Sequence, residues 1–183
     1  FDSSGYRTSG WQKIGKYYYY FSYQTGAMRK TSGWFQINGN TYYLNKTGAR
    51  QTGWLKVGGD TYYLNAAGVK QTGWLKLNGR KYFLKLKTGK LHKGWLKYQG
   101  KTFYFAQQDG RMRTGWVYLD GDPENSSKNS IADWRYFAES GIQNATVGAA
   151  IPGWLSLNPP EQLQDNVDEP VVWYYFDKNG EPK

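Results

Sequence analysis

Glycine followed by tryptophan recurs at Trp11, Trp34, Trp54, Trp74, Trp95, Trp116 and Trp154, with a period of about 20 residues that lengthens at the final step. A repeated indole does the chemistry of contact rather than of bond making. Its face attracts a cation through the ring quadrupole, and it stacks on the apolar face of a sugar ring as it stacks on another aromatic ring. Lysine stands two places after the tryptophan at Lys13, Lys56, Lys76 and Lys97. An ammonium therefore recurs beside the ring and could serve as the rim of a polyanion site. Lysine also guards exposed strand edges against aggregation, and an indole can simply be the packing between repeats. Both structural roles compete with the binding role at every position.

Catalysis finds little support. His92 is the only histidine, set between Leu91 and Lys93, and there is no cysteine. No Ser-His-Asp arrangement or glycine-rich phosphate loop is present. Paired carboxylates for glycoside hydrolysis would need a cleft, and the acids here gather toward one end of the chain. Asp120, Asp122 and Glu124 alternate in a manner that could offer oxygens to calcium, but they lack a complete ligand loop. They read as an enlarged hairpin tip running to Ser130. A second enlarged tip is expected over 158–170. The expectation is no catalytic residue, no metal and no cofactor.

A fixed period of this length means stacked supersecondary units whose aromatic faces only a neighbour can cover. The clearest unit runs from Gly53 to Thr72. Its runs Trp54-Leu55-Lys56-Val57 and Thr61-Tyr62-Tyr63-Leu64 flank Gly58-Gly59, which is a hairpin pattern. The same turn reads Asn38-Gly39, Asn78-Gly79 and Gln99-Gly100 in neighbouring units. No segment sustains a helical apolar period. The predicted fold is all-β, an elongated β-hairpin solenoid of about 20-residue Gly-Trp repeats. Alternate strand residues share a face. Tyr62 and Leu64 are therefore predicted in the core, while Tyr43, Tyr63, Phe83 and Tyr104 are predicted along a groove wall.

Aromatic residues make up 19% of a chain whose mean hydropathy is −0.80. The net charge of +10 divides unevenly. Residues 1–114 hold 20 of the 24 lysines and arginines against 3 acids, a net +17; residues 115–183 hold 4 against 11, a net −7. The sequence thus divides into a basic regular array, 1–114, and an acidic, longer-looped continuation, 115–183. The basic half could attract teichoic acid, sulfated glycan or nucleic acid. Basic side chains would also keep an aromatic array soluble. Neither a membrane-spanning run nor a signal peptide is expected within these residues, and any targeting signal is expected upstream of them. Phe1-Asp2-Ser3-Ser4-Gly5 is similar to Phe176-Asp177-Lys178-Asn179-Gly180, so the chain is expected to be a piece of a longer protein.

The unit Gly-Trp-x-Lys-x-x-Gly-x-x-Tyr-Tyr-Leu-x-x-x-Gly-x-x-x-Thr-Gly-Trp resembles the choline-binding and cell-wall-binding repeat family. That superfamily includes pneumococcal surface-anchoring modules, glucan-binding repeats of glucansucrases and receptor-binding repeats of clostridial toxins. The likeness is close over 10–116 and looser to 180. It implies a non-catalytic carbohydrate- or cell-wall-binding module of a secreted or surface bacterial protein, acting on a polysaccharide or teichoic-acid polymer. Specific nucleic-acid recognition and membrane insertion are not implied. Alternatives are the glucan-binding domain of a glucansucrase-type enzyme, a toxin-type receptor-binding fragment and a structural spacer. In choline-type repeats a second tryptophan and a methionine complete a cage around the Gly-Trp indole. Here the second-tryptophan position is Thr41, Thr61, Lys81 and Thr102, and the methionine position is Arg50, Lys70 and Leu91, with Met28 and Met112 retained. The central repeats therefore resemble dismantled choline sites. A surviving cage is expected at Trp116 with Trp134 or at Trp154 with Trp173. The expected ligand groove is lined by Trp54, Tyr63, Trp74, Phe83, Trp95 and Tyr104, with Lys56, Lys76 and Lys97 at its rim.

Overall fold

The computed structural model describes residues 8–118, 134–140, 145–157, 172–179 and 181–182. Among the described residues there is no helix, and all strands pair as seven two-stranded sheets. The hairpins are β1–β2 (Gly10–Ile14, Tyr17–Phe21), β3–β4 (Gly33–Ile37, Asn40–Leu44), β5–β6 (Gly53–Val57, Asp60–Leu64) and β7–β8 (Gly73–Leu77, Arg80–Leu84). They continue as β9–β10 (Gly94–Tyr98, Lys101–Phe105), β11–β12 (Gly115–Tyr118, Trp134–Phe137) and β13–β14 (Gly153–Leu157, Val172–Phe176). The all-β hairpin-repeat fold expected from the Gly-Trp period is the fold observed. The chain divides into two compact units. One is Phe1–Leu75 with Phe83–Leu91, and the other is Lys76–Tyr82 with His92–Lys183. The two proposed enlarged tips, with Asp120, Asp122 and Glu124 in the first, lie outside the described residues.

Turn chemistry sets each hairpin. Asn38-Gly39, Asn78-Gly79 and Gln99-Gly100 have positive φ at both positions, 50° then 72–75°, and Gly58-Gly59 do the same at 57° and 81°. Two such residues make the type I′ turn whose twist matches the flanking strands. The register that follows places Trp54 opposite Tyr63, Leu55 opposite Tyr62 and Lys56 opposite Thr61. The same rungs recur at Trp34–Tyr43 and Trp95–Tyr104.

A single hairpin cannot bury enough to stand alone, and two devices join neighbours. The first is one fully buried apolar residue at the end of the second strand in six of the seven hairpins: Leu44, Leu64, Leu84, Phe105, Phe137 and Phe176 are all 0% exposed, while Phe21 at the end of β2 is half-buried. Leu64 lies opposite Gly53, whose φ of 76° turns the chain just before Trp54. Burying such a side chain contributes about 2 kcal/mol. The second device is a backbone bond from each repeat to the hairpin before it. After the second turn, Arg50, Lys70 and Leu91 bridge back to Leu44, Leu64 and Leu84. Their N–H groups donate to the carbonyls of Tyr18, Thr41 and Thr61 at 2.8, 2.8 and 2.7 Å. Met112 and Ala150 repeat this with Lys81 and Thr102 at 2.9 and 2.7 Å. Asx caps hold the turn in between. Asn65 Oδ1 accepts from Val69 N–H at 2.9 Å, and Asp177 Oδ1 accepts from Asn179 and Glu181 at 2.8 and 3.0 Å.

Candidate functional site

The strand pattern sorts the aromatic residues into two sets. On β5, Trp54 and Lys56 are exposed and alternate with half-buried Leu55 and Val57. β9 repeats this with Trp95 and Lys97 exposed and Leu96 and Tyr98 half-buried. Trp34, Trp54, Trp74 and Trp95 retain 36–45% exposure, whereas Tyr42, Tyr62 and Tyr82 are 7–8% exposed. Lys76 is exposed as well. Among the described side chains, the Gly-Trp indoles sit edge-on to their partners across the hairpin. Trp34–Tyr43, Trp54–Tyr63, Trp74–Phe83, Trp95–Tyr104 and Trp116–Tyr136 have centroid separations of 5.1–5.3 Å. Edge-to-face pairs of this kind are worth about 0.5–1.5 kcal/mol beyond their buried area. They restrain the ring plane.

Phe83 departs from the expected groove wall. It is 3% exposed, packed like a core residue, because phenylalanine has no hydroxyl to keep in water. Tyr63 and Tyr104 are half-buried beside their tryptophans. The ring that approaches a tryptophan from the next hairpin is instead the inner tyrosine: Trp34 and Tyr62 are 4.8 Å apart at 69°. A cavity of about 400 Å³ opens there, lined by Trp34, Gln36, Thr41, Tyr62, Lys70 and Thr88. It offers an indole, a phenol, an amide, two hydroxyls and an ammonium, with no carboxylate in its lining. Lys70 Nζ lies 5.0 Å from the Trp34 centroid. The sequence placed Tyr62 in the core and Lys70 at a cage-wall position. It gave no sign that the two share one cavity.

At the amino-terminal end, Trp11 lies 4.8 Å from Tyr42 of the second hairpin, and the Arg50 guanidinium sits over both Trp11 and Tyr18, at 5.1 and 4.2 Å. Burial pulls the Arg50 pKa below its ordinary value, against the opposing influence of Tyr18 and Tyr42. Tyr18 occupies the same rung as Thr41 and Thr61, opposite Lys13. It is therefore an aromatic residue at the second-tryptophan position that the sequence reading passed over.

A second cavity, of about 300 Å³, is lined by Trp95, Lys97, Thr102, Arg135, Asn179 and Glu181. It brings together the predicted pair Trp95 and Lys97. Arg135 takes the rung that Tyr62 holds in β6, as its pairing with Val117 shows. Its guanidinium donates to the Trp134 carbonyl at 2.8 Å and pairs with Glu181 at 3.5 Å. The aromatic wall is thus replaced by an ion pair.

In the acidic end, Trp116 is half-buried and meets Tyr174 at 5.1 Å and Phe176 at 5.5 Å. Trp134 lies in the same hairpin as Trp116, opposite Tyr118, and is 7% exposed. Trp173 lies opposite Ser156, and Trp154 opposite Tyr175. The Tyr136 hydroxyl donates to Glu139 Oε2 at 3.1 Å, and burial first, then the Glu139 charge, hold its pKa well above the usual phenol range. Among the described residues no group of three metal-ligating side chains is assembled.

This register of exposed indole, inner tyrosine and bridging residue defines an aromatic β-hairpin repeat. The chain belongs to the choline-binding repeat family. The choline-binding repeat pattern matches residues 31–68 and 51–93, and the cell wall binding repeat pattern matches 9–28, 93–112 and 172–181. CbpJ from Streptococcus pneumoniae TIGR4 is similar at 27% identity and a TM-score of 0.66, over 97% of this chain and 59% of that chain. Choline binding protein F from Streptococcus pneumoniae, solved in the presence of a tetrasaccharide-pentapeptide peptidoglycan analogue, is similar at 26% identity and a TM-score of 0.70, over 96% of this chain and 52% of that one. The cell wall endolysin from phage Cp-1, complexed with choline, shares the fold at 21% identity and a TM-score of 0.50, over 100% of this chain and 39% of that one. The chain thus spans between half and three-fifths of the length of the first two. No curated protein sequence matches significantly. Repeats of this family are binding modules found at the bacterial cell surface.

Proposed function

We propose that this chain is a carbohydrate-binding anchor. It holds a secreted or surface bacterial protein to a polysaccharide or teichoic-acid polymer of the wall, through indole platforms repeated on successive hairpins. The observation that carries this is the exposure of Trp34, Trp54, Trp74 and Trp95 at 36–45%, on a scaffold that reduces the neighbouring inner tyrosines to 7–8%. An indole needed only for packing would be covered, as Trp134 is at 7%. Repetition converts weak single contacts into useful affinity, since linked sites gain about 10²–10⁴ in avidity over one alone. Lys56, Lys76 and Lys97, within a half of the chain carrying +17, add long-range attraction for an anionic polymer.

Purified Gram-positive cell walls, before and after extraction of teichoic acid, and soluble α- and β-glucans test the proposal. The intact chain should co-sediment with at least one wall preparation or be retarded by one glucan. Failure to bind any of the four would leave the spacer role in its place.

A further inference from the structure

We propose that Arg50 and Lys70 are internal ligands of the aromatic sites at Trp11 and Trp34, and that they close those two sites to quaternary-ammonium groups. The case begins at the backbone. Arg50 N–H donates to the Tyr18 carbonyl, and its guanidinium covers the ring of that same Tyr18 at 4.2 Å and of Trp11 at 5.1 Å. Tyr42 stands 4.8 Å from Trp11 and completes a three-ring enclosure drawn from β1, β2 and β4. Arg50 Nε is buried with no hydrogen-bond partner. The π faces therefore supply what water would have given that part of the guanidinium. The next repeat holds the stem in place. A Cβ added at Gly68 would lie 2.5 Å from Arg50 Cδ and 2.8 Å from its Nε, so a side chain there would displace Arg50 from its present position.

One repeat further on, the construction recurs. Lys70 N–H donates to the Thr41 carbonyl at 2.8 Å, Lys70 Nζ lies 5.0 Å from the Trp34 centroid, and Tyr62 meets the same indole edge to face at 4.8 Å. The residues at this register position in later repeats are Leu91 and Met112, which carry no charge. The device is thus confined to two successive sites, and the others serve as controls within the same molecule.

A trimethylammonium group has no N–H to donate and depends on ring faces for recognition. At Trp11 and Trp34 those faces already hold a tethered cation. A tether presents its group at an effective concentration on the order of millimolar, and a second positive charge brought beside it is repelled. Arg50 and Lys70 therefore determine specificity whichever polymer the array binds. They exclude quaternary ammonium, and at the Trp34 cavity the ammonium remains available to an anionic substituent.

Choline chloride titrated into the intact chain, with the indole N–H resonances of Trp11 and Trp34 followed by NMR, tests the proposal. Trp11→Phe and Trp34→Phe identify the two signals. In the parent neither signal should show a saturable shift, and the Arg50 δ protons should resonate upfield of their ordinary position through the ring currents of Trp11 and Tyr18. Lys70→Met should make the Trp34 signal respond saturably while Trp11 stays silent; Arg50→Met should do the reverse. A saturable response of either signal in the parent overturns the proposal. So does a folded Lys70→Met variant whose Trp34 signal stays silent, and so do Arg50 δ protons at their ordinary position. If Arg50→Met does not fold, the parent spectrum and Lys70→Met decide the question. Loss of polymer binding is not part of the readout, so this test and that of the anchoring role fail independently.

Discussion

Trp34 and Tyr62 meet edge to face with 4.8 Å between ring centroids, although they belong to successive hairpins. That contact makes the tyrosine a structural residue and a wall of the Trp34 cavity at once. Tyr63, its neighbour in sequence, points to the other face and packs against Trp54 of its own hairpin at 5.1 Å.

The two tyrosines should therefore respond differently to truncation. Tyr62→Ala removes a ring that is 8% exposed. It should cost about 3–5 kcal/mol, as large aromatic truncations in cores do. Tyr63→Ala removes a half-buried ring and should cost about 1–2 kcal/mol, the usual scale of a single substitution. Urea unfolding followed by far-UV circular dichroism separates the two. Equal midpoints would mean that the strand faces are misassigned.

The turns offer a gain in stability. Gln99 holds a φ of 50°, where a side chain costs about 1–2 kcal/mol relative to glycine. Gln99→Gly should raise stability by about 0.5–1 kcal/mol once the added freedom of the unfolded chain is counted. Thermal melting of the variant beside the parent checks this. A lower melting temperature would show that the Gln99 side chain makes a contact worth more than the strain.

The fold was legible because its determinants are local. Glycine spacing, Asn-Gly turns and alternating Tyr-Leu positions each act within one repeat, so Tyr62 and Leu64 could be assigned to the core from sequence. The cavities were not legible, because they are made across repeats. Nothing near Trp34 in sequence indicates that Lys70 will lie over its ring, since that depends on the bond from Lys70 N–H to Thr41. Phe83 shows the same limit: strand alternation puts it on the Tyr63 face, but packing buries it to 3%.

Alkaline pH should loosen the carboxy-terminal hairpins. The Tyr136 hydroxyl is held protonated by burial and by Glu139, so its folded pKa lies above the ordinary value of 10.0. A raised folded pKa gives stability that is fully present below pH 10 and is lost as the pH climbs beyond it. Tyr174 is shifted the same way by burial. Unfolding midpoints measured below and above pH 10 should fall across that range, and Tyr136→Phe should flatten the fall. An unchanged slope in Tyr136→Phe would place the alkaline sensitivity elsewhere.

Salt distinguishes charge from stacking in polymer binding. If the basic residues contribute, affinity of the intact chain for teichoic acid should drop steeply between low and physiological ionic strength, as counterion release and screening require. Lys56→Gln, Lys76→Gln and Lys97→Gln together should reduce that slope. Binding indifferent to salt would assign recognition to the indoles alone.

The most direct measurement concerns those indoles. Trp34, Trp54, Trp74 and Trp95 are exposed enough to be replaced by alanine with the hairpins intact, which circular dichroism verifies. Binding to the wall polymer retained by the parent should fall modestly for each single replacement. It should be lost by far more than any single step when all four are replaced, as repeated sites acting by avidity require. A folded fourfold variant that binds as tightly as the parent would contradict the account, because the exposed tryptophans would then be packing and nothing more.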